Sequence, residues 1–418
     1  MKDRLFEIWF ALRCGVQNRE FRPLLEACGS PYELYKADEN ELERLPCSQS
    51  LKARLADKSL KEASRVEEYC KQNNVRVLFW QDADYPASLR PLRDPPILLY
   101  CKGNLPDLSR RLCISVVGTR SMSEYGKRIA YKIGYELGAA GAVVVSGMAL
   151  GNDGVAAAGT ILAGGSTVAV LGCGLDVTYP REHSVLFEEI LNHGAVLSEF
   201  APGIPPEGKN FPIRNRIISA LSGALLVVEA GEHSGALITA RYAVLQGKPL
   251  FAVPGDITNS RSVGTNRLIA EGAIPALDAQ GILEHFRFLY RDAIHMEVLP
   301  EATQYSALTP EALHPYGLRM TEMPRAVEPR AEKKAAKRRK ADTAAAEEEK
   351  LPASKPVPDT SALTPRQREL YLMLPDTGFS VDILTAGGVP VSEAVSTLTV
   401  LEIYGLVRSV PGGMFEKK

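Results

Sequence analysis

Leu112-Cys113-Ile114-Ser115-Val116-Val117-Gly118-Thr119-Arg120-Ser121 is an apolar run that stops on a glycine turn. The run lacks the period-two alternation of a half-exposed strand, so both faces of this strand are expected to be covered. The same unit recurs along the chain. Ala142–Val145, Thr167–Leu171, Ala195–Leu197, Ala224–Val228 and Leu250–Val253 are apolar runs separated by helical segments. Such strand–helix alternation predicts an α/β fold with a doubly wound parallel sheet. Ligands of these sheets sit beyond the carboxyl ends of the strands. Twenty-three of the 34 glycines lie between Gly118 and Gly272, mostly at those ends.

Four glycine-rich loops follow strands: Gly118-Thr119-Arg120-Ser121, Ser146-Gly147-Met148-Ala149-Leu150-Gly151, Gly172-Cys173-Gly174-Leu175-Asp176 and Gly231-Glu232-His233-Ser234-Gly235-Ala236. Glycine allows close backbone approach, and successive N–H groups can form an anion nest. A second feature lies between the fourth and fifth of these units. Pro206-Glu207-Gly208-Lys209-Asn210-Phe211-Pro212-Ile213-Arg214-Asn215-Arg216 gathers three cations in eleven residues. Proline presets φ for a first helical turn, so Pro212 is expected to open a helix with Lys209, Arg214 and Arg216 at its positive end. That arrangement suits phosphate. In this helix positions 213, 217, 220 and 221 form the apolar stripe, and Arg214 and Arg216 flank it on either side. Which of the two meets an anion is left open. Phe211 and Tyr125 stand beside cations and suit either base stacking, worth ~1–3 kcal/mol per base, or a place in the core.

Composition limits the alternatives. The net charge of -1 over 418 residues means that a polyanion must be held by a local cluster. Seven cysteines fall between Cys14 and Cys173 without a Cys-x-x-Cys pair, which reads as a reduced, cytoplasmic protein. The first residues carry acids where a signal peptide has none, and no apolar stretch reaches the ~18 residues of a membrane span. The P-loop pattern is absent, and Gly172-x-Gly174 is followed by Val177 where a dinucleotide fingerprint has glycine. His183, His193 and His233 lack ligand spacing, and Ser146 and Ser234 lack an evident histidine base. Asp153, Asp176 and Glu199 are read as caps or loop hydrogen-bonders. No catalytic residue, metal or cofactor is expected.

Four regions are expected. Residues 1–78 read as short helices in a small N-terminal domain of the SAM or helix-hairpin-helix kind, with a turn at Cys28-Gly29-Ser30-Pro31. Residues 79–290 hold the sheet, entered through a connecting stretch around Ile97–Tyr100. Residues 291–360, with the basic run Lys333–Lys340 and Glu347-Glu348-Glu349, read as a disordered linker. The basic run is taken as a solvated tether rather than a nucleic-acid contact. Residues 361–418 read as helices followed by a hairpin, a winged-helix-like domain. Its expected recognition helix, Ser392–Tyr404, has no Lys or Arg, so a protein-contact or regulatory role is preferred to duplex reading.

Several ordered motifs resemble the DNA-processing protein A family (DprA, also called Smf). They are Ser115–Gly126, Ser146–Gly154, Leu171–His183, Phe211–Ser219, Ser234–Arg241 and Val253–Ala273, together with Asp84-Tyr85-Pro86 and Asp94-Pro95-Pro96. The resemblance is strong over residues 80 to 280. It implies an extended Rossmann-like domain that binds single-stranded DNA, forms a homodimer and delivers strands to RecA recombinase in natural transformation. Carried over by motif, it implies DNA contacts at Arg120, Ser146, Gly147, Lys209, Phe211, Arg214, Asn215, Arg216, Ser234, Gly235, Thr239 and Asn266. Two positions depart from the pattern. Asn152 stands where an apolar residue is usual, and His183 where an Asn is usual. The rival expectation is a nucleotide-hydrolysing enzyme of the phosphoribohydrolase type, although Glu229–Leu237 lacks the acid spacing of such enzymes. Four phosphate-contacting cations would give a salt slope near ~-3 on single strands.

Overall fold

Apolar runs with no polar side need cover on both faces, and the chain supplies it from two directions. The computed structural model describes residues 4–299 and, further on, 365–375, 378–379, 383–384, 389, 397–398, 400–402, 406–410 and 414–417. Residues up to 299 belong to one compact unit. Its strands are β1 (Arg76–Phe79), β2 (Leu98–Gly103), β3 (Cys113–Val117), β4 (Val143–Ser146), β5 (Ser166–Leu171), β6 (Gly194–Ser198), β7 (Ala224–Val227), β8 (Leu250–Ala252) and β9 (Ile274–Pro275). They form one sheet in the order β1-β2-β6-β5-β4-β3-β7-β8-β9. The seven strands from β6 to β9 in that order are parallel, as expected. The six predicted runs match β3 to β8 within a residue or two.

The stretch around Ile97–Tyr100 is not a connection. It forms β2, which pairs antiparallel with β6 on one side and β1 on the other. Neither pairing has a local signal, because an added antiparallel strand needs only an open edge.

Alternate residues of each strand enter two different cores. Ile114, Val116, Val144 and Leu226 face one, and Val117, Val143, Val145 and Val227 the other. The first core is covered by α7 (Glu124–Ala139), α8 (Asn152–Leu162) and α9 (Ser184–His193), the second by α10 (Asn210–Ala220) and α11 (Gly235–Leu245). Two smaller helices, α12 (Val263–Ala270) and α13 (Ala279–Glu284), come before and after β9 in the chain.

The N-terminal region has six short helices: α1 (Leu5–Cys14), α2 (Phe21–Cys28), α3 (Pro31–Lys36), α4 (Glu39–Glu43), α5 (Gln49–Ala56) and α6 (Lys61–Gln72). The expected turn at Cys28-Gly29-Ser30-Pro31 resolves into a chain reversal. Gly29 leaves α2 at φ 79°, and Ser30 Oγ accepts from Glu33 N to start α3 on Pro31. Asp38 and Glu41 close a reciprocal cap on α4. Trp9, Phe10, Phe21, Leu24 and Leu55 are buried in a core that continues into Val77, Phe79, Leu98 and Tyr100 of the sheet. Each such side chain contributes about 1.5–3 kcal/mol on burial. The helices therefore share a core with the sheet, and β1 crosses the boundary expected at residue 78. The chain also stays docked past 290. Ile294 is buried in the same core, and His295 N donates to Ala140 O at 3.0 Å.

In the second unit, α14 (Pro365–Met373) and an antiparallel hairpin of β10 (Val407–Val410) and β11 (Met414–Lys417) are described. Leu370, Leu374, Phe379, Leu398, Leu401 and Leu406 are buried together. The hairpin lies where the sequence places one. Residues 300–364 and most of the expected recognition helix lie outside the described residues.

Candidate functional site

The sheet reverses its winding between β3 and β7, and a crevice opens beyond their carboxyl ends, where the chain leaves in opposite directions. A cleft of about 350 Å³ occupies that crevice. Its walls come from the loop after β3, the start of α8, the first turns of α10 and the start of α11.

Helix α10 begins at Asn210 rather than at Pro212. Lys209 is its N-cap, and Pro212 is the third helical residue. A first-turn proline still removes only an N–H that has no partner within the helix, so the sequence signal is real but loose by two positions. The apolar stripe also understates burial. Residues 214–220 are all buried, because the sheet covers one side of the helix and the crest loops and α11 cover the rest.

The two arginines of α10 separate. Arg214, 4% exposed, lines the cleft. Its guanidinium lies against Gly147, where an added Cβ would stand 1.5 Å from Nη1, so only glycine leaves room for it there. Two cations lie against the Phe211 ring, with Arg120 5.0 Å and Arg214 5.9 Å from its centroid. Tyr179 packs on the same ring at 5.5 Å. Arg120 is exposed. Burial lowers the pKa of Arg214 to about 10, opposed by the nearby charge of Asp153 and reinforced by Arg120. Arg216, 1% exposed, takes no part in the cleft. It bonds Glu199 Oε1 at 2.8 Å and lies 3.6 Å from Asp94. Burial acts to lower its pKa, but Glu199 and then Asp94 outweigh that, so the net shift is upward.

Asn215, Ser234, Gly235 and Thr239 complete the same cleft. Ser234 Oγ accepts from Ala236 N at 3.3 Å and caps α11, so the free N-terminal amides of that helix face the cleft region.

Four other expected contacts are placed elsewhere. Ser146 is buried under the crest, with Oγ donating to Val116 O at 2.9 Å. Lys209 pairs with Glu207 at 2.7 Å and lines a separate cavity of about 380 Å³ between α1, β2 and the loop before α10. Asn266 braces the loop after β8, accepting from Gly255 N at 3.1 Å and donating to Gly255 O at 2.9 Å. Arg216 is the fourth. Tyr125 is also a brace, its hydroxyl donating to Pro254 O at 2.9 Å.

Two acids hold the crest together, and to one of them, Glu229, the sequence reading gave no role. Glu229, at the end of β7, is buried and accepts from Ser123 N at 2.8 Å and from the Ser123 hydroxyl. It also fills the space beside Gly126, so it locks the start of α7 to the sheet. An acid ending the run Ala224–Val228 was the available signal. Asp153, expected as a cap or a loop hydrogen-bonder, is the second: it does not cap its own helix but accepts from Gly118 N at 3.3 Å and Gly147 N at 3.0 Å. The two departures from the family pattern also sit here. His183 is buried, with Nδ1 3.0 Å from Met148 O, and its ring fills the space beside Gly154. Asn152 is fully buried under Gly118, and its Oδ1 and Nδ2 have no hydrogen-bond partner among the described residues.

Residues 76–287 match a family model described as DNA recombination-mediator protein A. The chain is 35% identical over 347 residues to protein Smf of Escherichia coli K12, covering 82% of this chain and 78% of that one. It is 42% identical over 209 residues to DNA processing protein DprA of Streptococcus pneumoniae, covering 50% of this chain and 73% of that one. A solved structure of DNA processing protein A from Streptococcus pneumoniae superposes with a TM-score of 0.60 at 33% identity, over 68% of this chain and 98% of that one.

Proposed function

The chain belongs to the DNA recombination-mediator protein A family, and we propose that it binds single-stranded DNA in the cleft at the crest of its sheet, protects the incoming strand and loads RecA recombinase onto it during natural transformation. One observation carries the DNA reading. Arg120 and Arg214 flank Phe211 at the mouth of the cleft, and Arg214 forms no hydrogen bond or ion pair among the described residues. A buried cation that no group hydrogen-bonds is costly, Asp153 eases it only through space, and a phosphate would meet that need directly. Phe211 beside it offers a sequence-tolerant face for a base.

Two cleft cations rather than four change the expected salt dependence. Two contacts at roughly 0.7 each give a slope near -1.4 from this cleft, an affinity loss of about 7-fold between 50 and 200 mM salt. The test is binding of a labelled oligothymidine and of the matching duplex across salt by the full chain. Preference for the single strand with that slope is expected, and preference for duplex would sink the reading.

The protein acts without catalysis in this reading. Release of free base from nucleoside monophosphates would overturn that part. The free cysteines, mostly buried, suit a cytoplasmic protein, and among the described residues no helix is long and apolar enough to cross a membrane. The homodimer is assigned to the β9 end of the sheet. There β9 leaves an open edge and Leu277, two residues past it, stands 77% exposed, while Leu245, at the end of the helix that packs on β7 and β8, stands 72% exposed. Residues 361–418 serve as a separate contact or regulatory module.

A further inference from the structure

The cleft holds an anion of its own. Asp153 is the second residue of α8, only 5% exposed, and lines the cleft. Its two oxygens take the N–H groups of Gly118 and Gly147, from the loops after β3 and β4. Glycine amides at such a crest are what a phosphate would ordinarily use. Here a carboxylate of the chain already occupies them.

The same carboxylate acts on Arg214 through space, with no ion pair or hydrogen bond between the two. Arg214 comes from the opposite wall, lies against Gly147 and is eased in its buried state by Asp153. Burial raises the carboxyl pKa of Asp153 above the usual range, and Arg214 pulls it back. The groups facing Asp153 are few. They are Arg214 on α10, the Ser146 hydroxyl and the two amides, with Arg120 acting on Arg214 from the loop after β3. His183, another titratable group of the crest, has its ring against Gly154 and is not among the groups that act on Asp153.

We propose that Asp153 is a positioning residue of the cleft and the resident counter-anion of Arg214, which it yields to an entering phosphate while its carboxylate takes up a proton from solvent. Charge is conserved in that exchange. One phosphate charge enters, one carboxylate charge is neutralised, and Arg214 stays cationic throughout. Phosphate affinity should therefore rise as pH falls toward the carboxylate range. The identity of the anion as single-stranded DNA rests on the function proposed above, but the exchange itself does not.

The experiment is calorimetry on the full chain with oligothymidine and, separately, inorganic pyrophosphate. Phosphate-free buffers of differing ionisation enthalpy are used between about pH 5 and 8. Proton uptake of up to about one per occupied cleft is expected, with affinity changing by at most about tenfold per pH unit. Asp153→Asn should abolish the uptake and flatten the pH profile, whereas His183→Asn should keep both. A residue that only braces the loops would instead give Asp153→Asn weaker binding with the wild-type pH profile, and that result overturns the proposal. Should Asp153→Asn fail to fold, the carboxyl carbon signals of ¹³C-aspartate in the wild-type chain read the same event. Failure of any buried aspartate to protonate on adding pyrophosphate overturns it equally. Pyrophosphate binding with uptake but no oligothymidine binding would sink the single-strand reading alone. Binding of neither would sink both.

Discussion

Arg214 and Arg216 are two residues apart on one helix, about 200° around its axis. In sequence they are equivalent, since both sit near the start of α10 and both flank its apolar face. Tertiary packing assigns them opposite work. Glu199 and Asp94, more than a dozen residues away in sequence, meet Arg216 under the helix, while Gly147 opens space for Arg214 above. Their alanine variants should therefore fail differently. Arg216→Ala leaves Glu199 buried without its partner and should cost about 3–5 kcal/mol in denaturant unfolding. Arg214→Ala removes a cation that no hydrogen bond or ion pair holds among the described residues, so it should cost less in unfolding than Arg216→Ala, and it should flatten the salt slope of oligothymidine binding by about 0.7. Equal stability loss in the two variants would contradict this division. Arg120 and Phe211 were legible through their motifs, and they do share the cleft with Arg214. Lys209 was selected for its charge, but its neighbour Glu207 neutralises it and its backbone direction takes it to another cavity.

At the scale of elements, the strands were the most legible feature, because a strand covered on both faces must be apolar throughout. The helices above them carry a condition that sequence hides. Gly134 of α7 lies so close to α8 that an added Cβ would stand 2.3 Å from Ala156 O, and Gly159 of α8 has the reciprocal relation to Tyr131 O at 2.5 Å. The Thr160 hydroxyl donates to Gly134 O at 2.9 Å across the same contact. The glycines were read as loop formers at strand ends, and for Gly118, Gly147 and Gly172 the crest does use them. Gly134, Gly138 and Gly159 are helix-packing residues instead, and only knowledge of which helix lies opposite separates the two uses. Gly134→Ala improves helix propensity by up to ~1 kcal/mol, yet the backbone carbonyl it meets cannot swing away. A net loss of about 1–3 kcal/mol and a lower thermal midpoint are expected. A rise in the midpoint would mean that α7 and α8 can move apart without cost.

For the whole molecule, the nine-stranded sheet has two unlike ends. The β1 end is sealed by the helical region, whose core runs continuously into Phe79 and Tyr100. The β9 end is short and open, with apolar side chains in solvent. A second copy of the chain on that end would bury them. Leu277→Asp with Leu245→Asp should turn a dimer into a monomer in sedimentation equilibrium while leaving the fold intact by circular dichroism. A wild-type chain that sediments as a monomer would remove this interface. The sequence by itself determined the parallel sheet, its glycine-rich crest and the family. Apolar runs, glycine turns and ordered motifs are local patterns, so one chain suffices to read them. Only the tertiary structure decided the antiparallel addition of β1 and β2, the parting of Arg214 from Arg216 and the placing of Asp153 inside the cleft. Each of these depends on which distant residue fills the space opposite, and no local pattern carries that information.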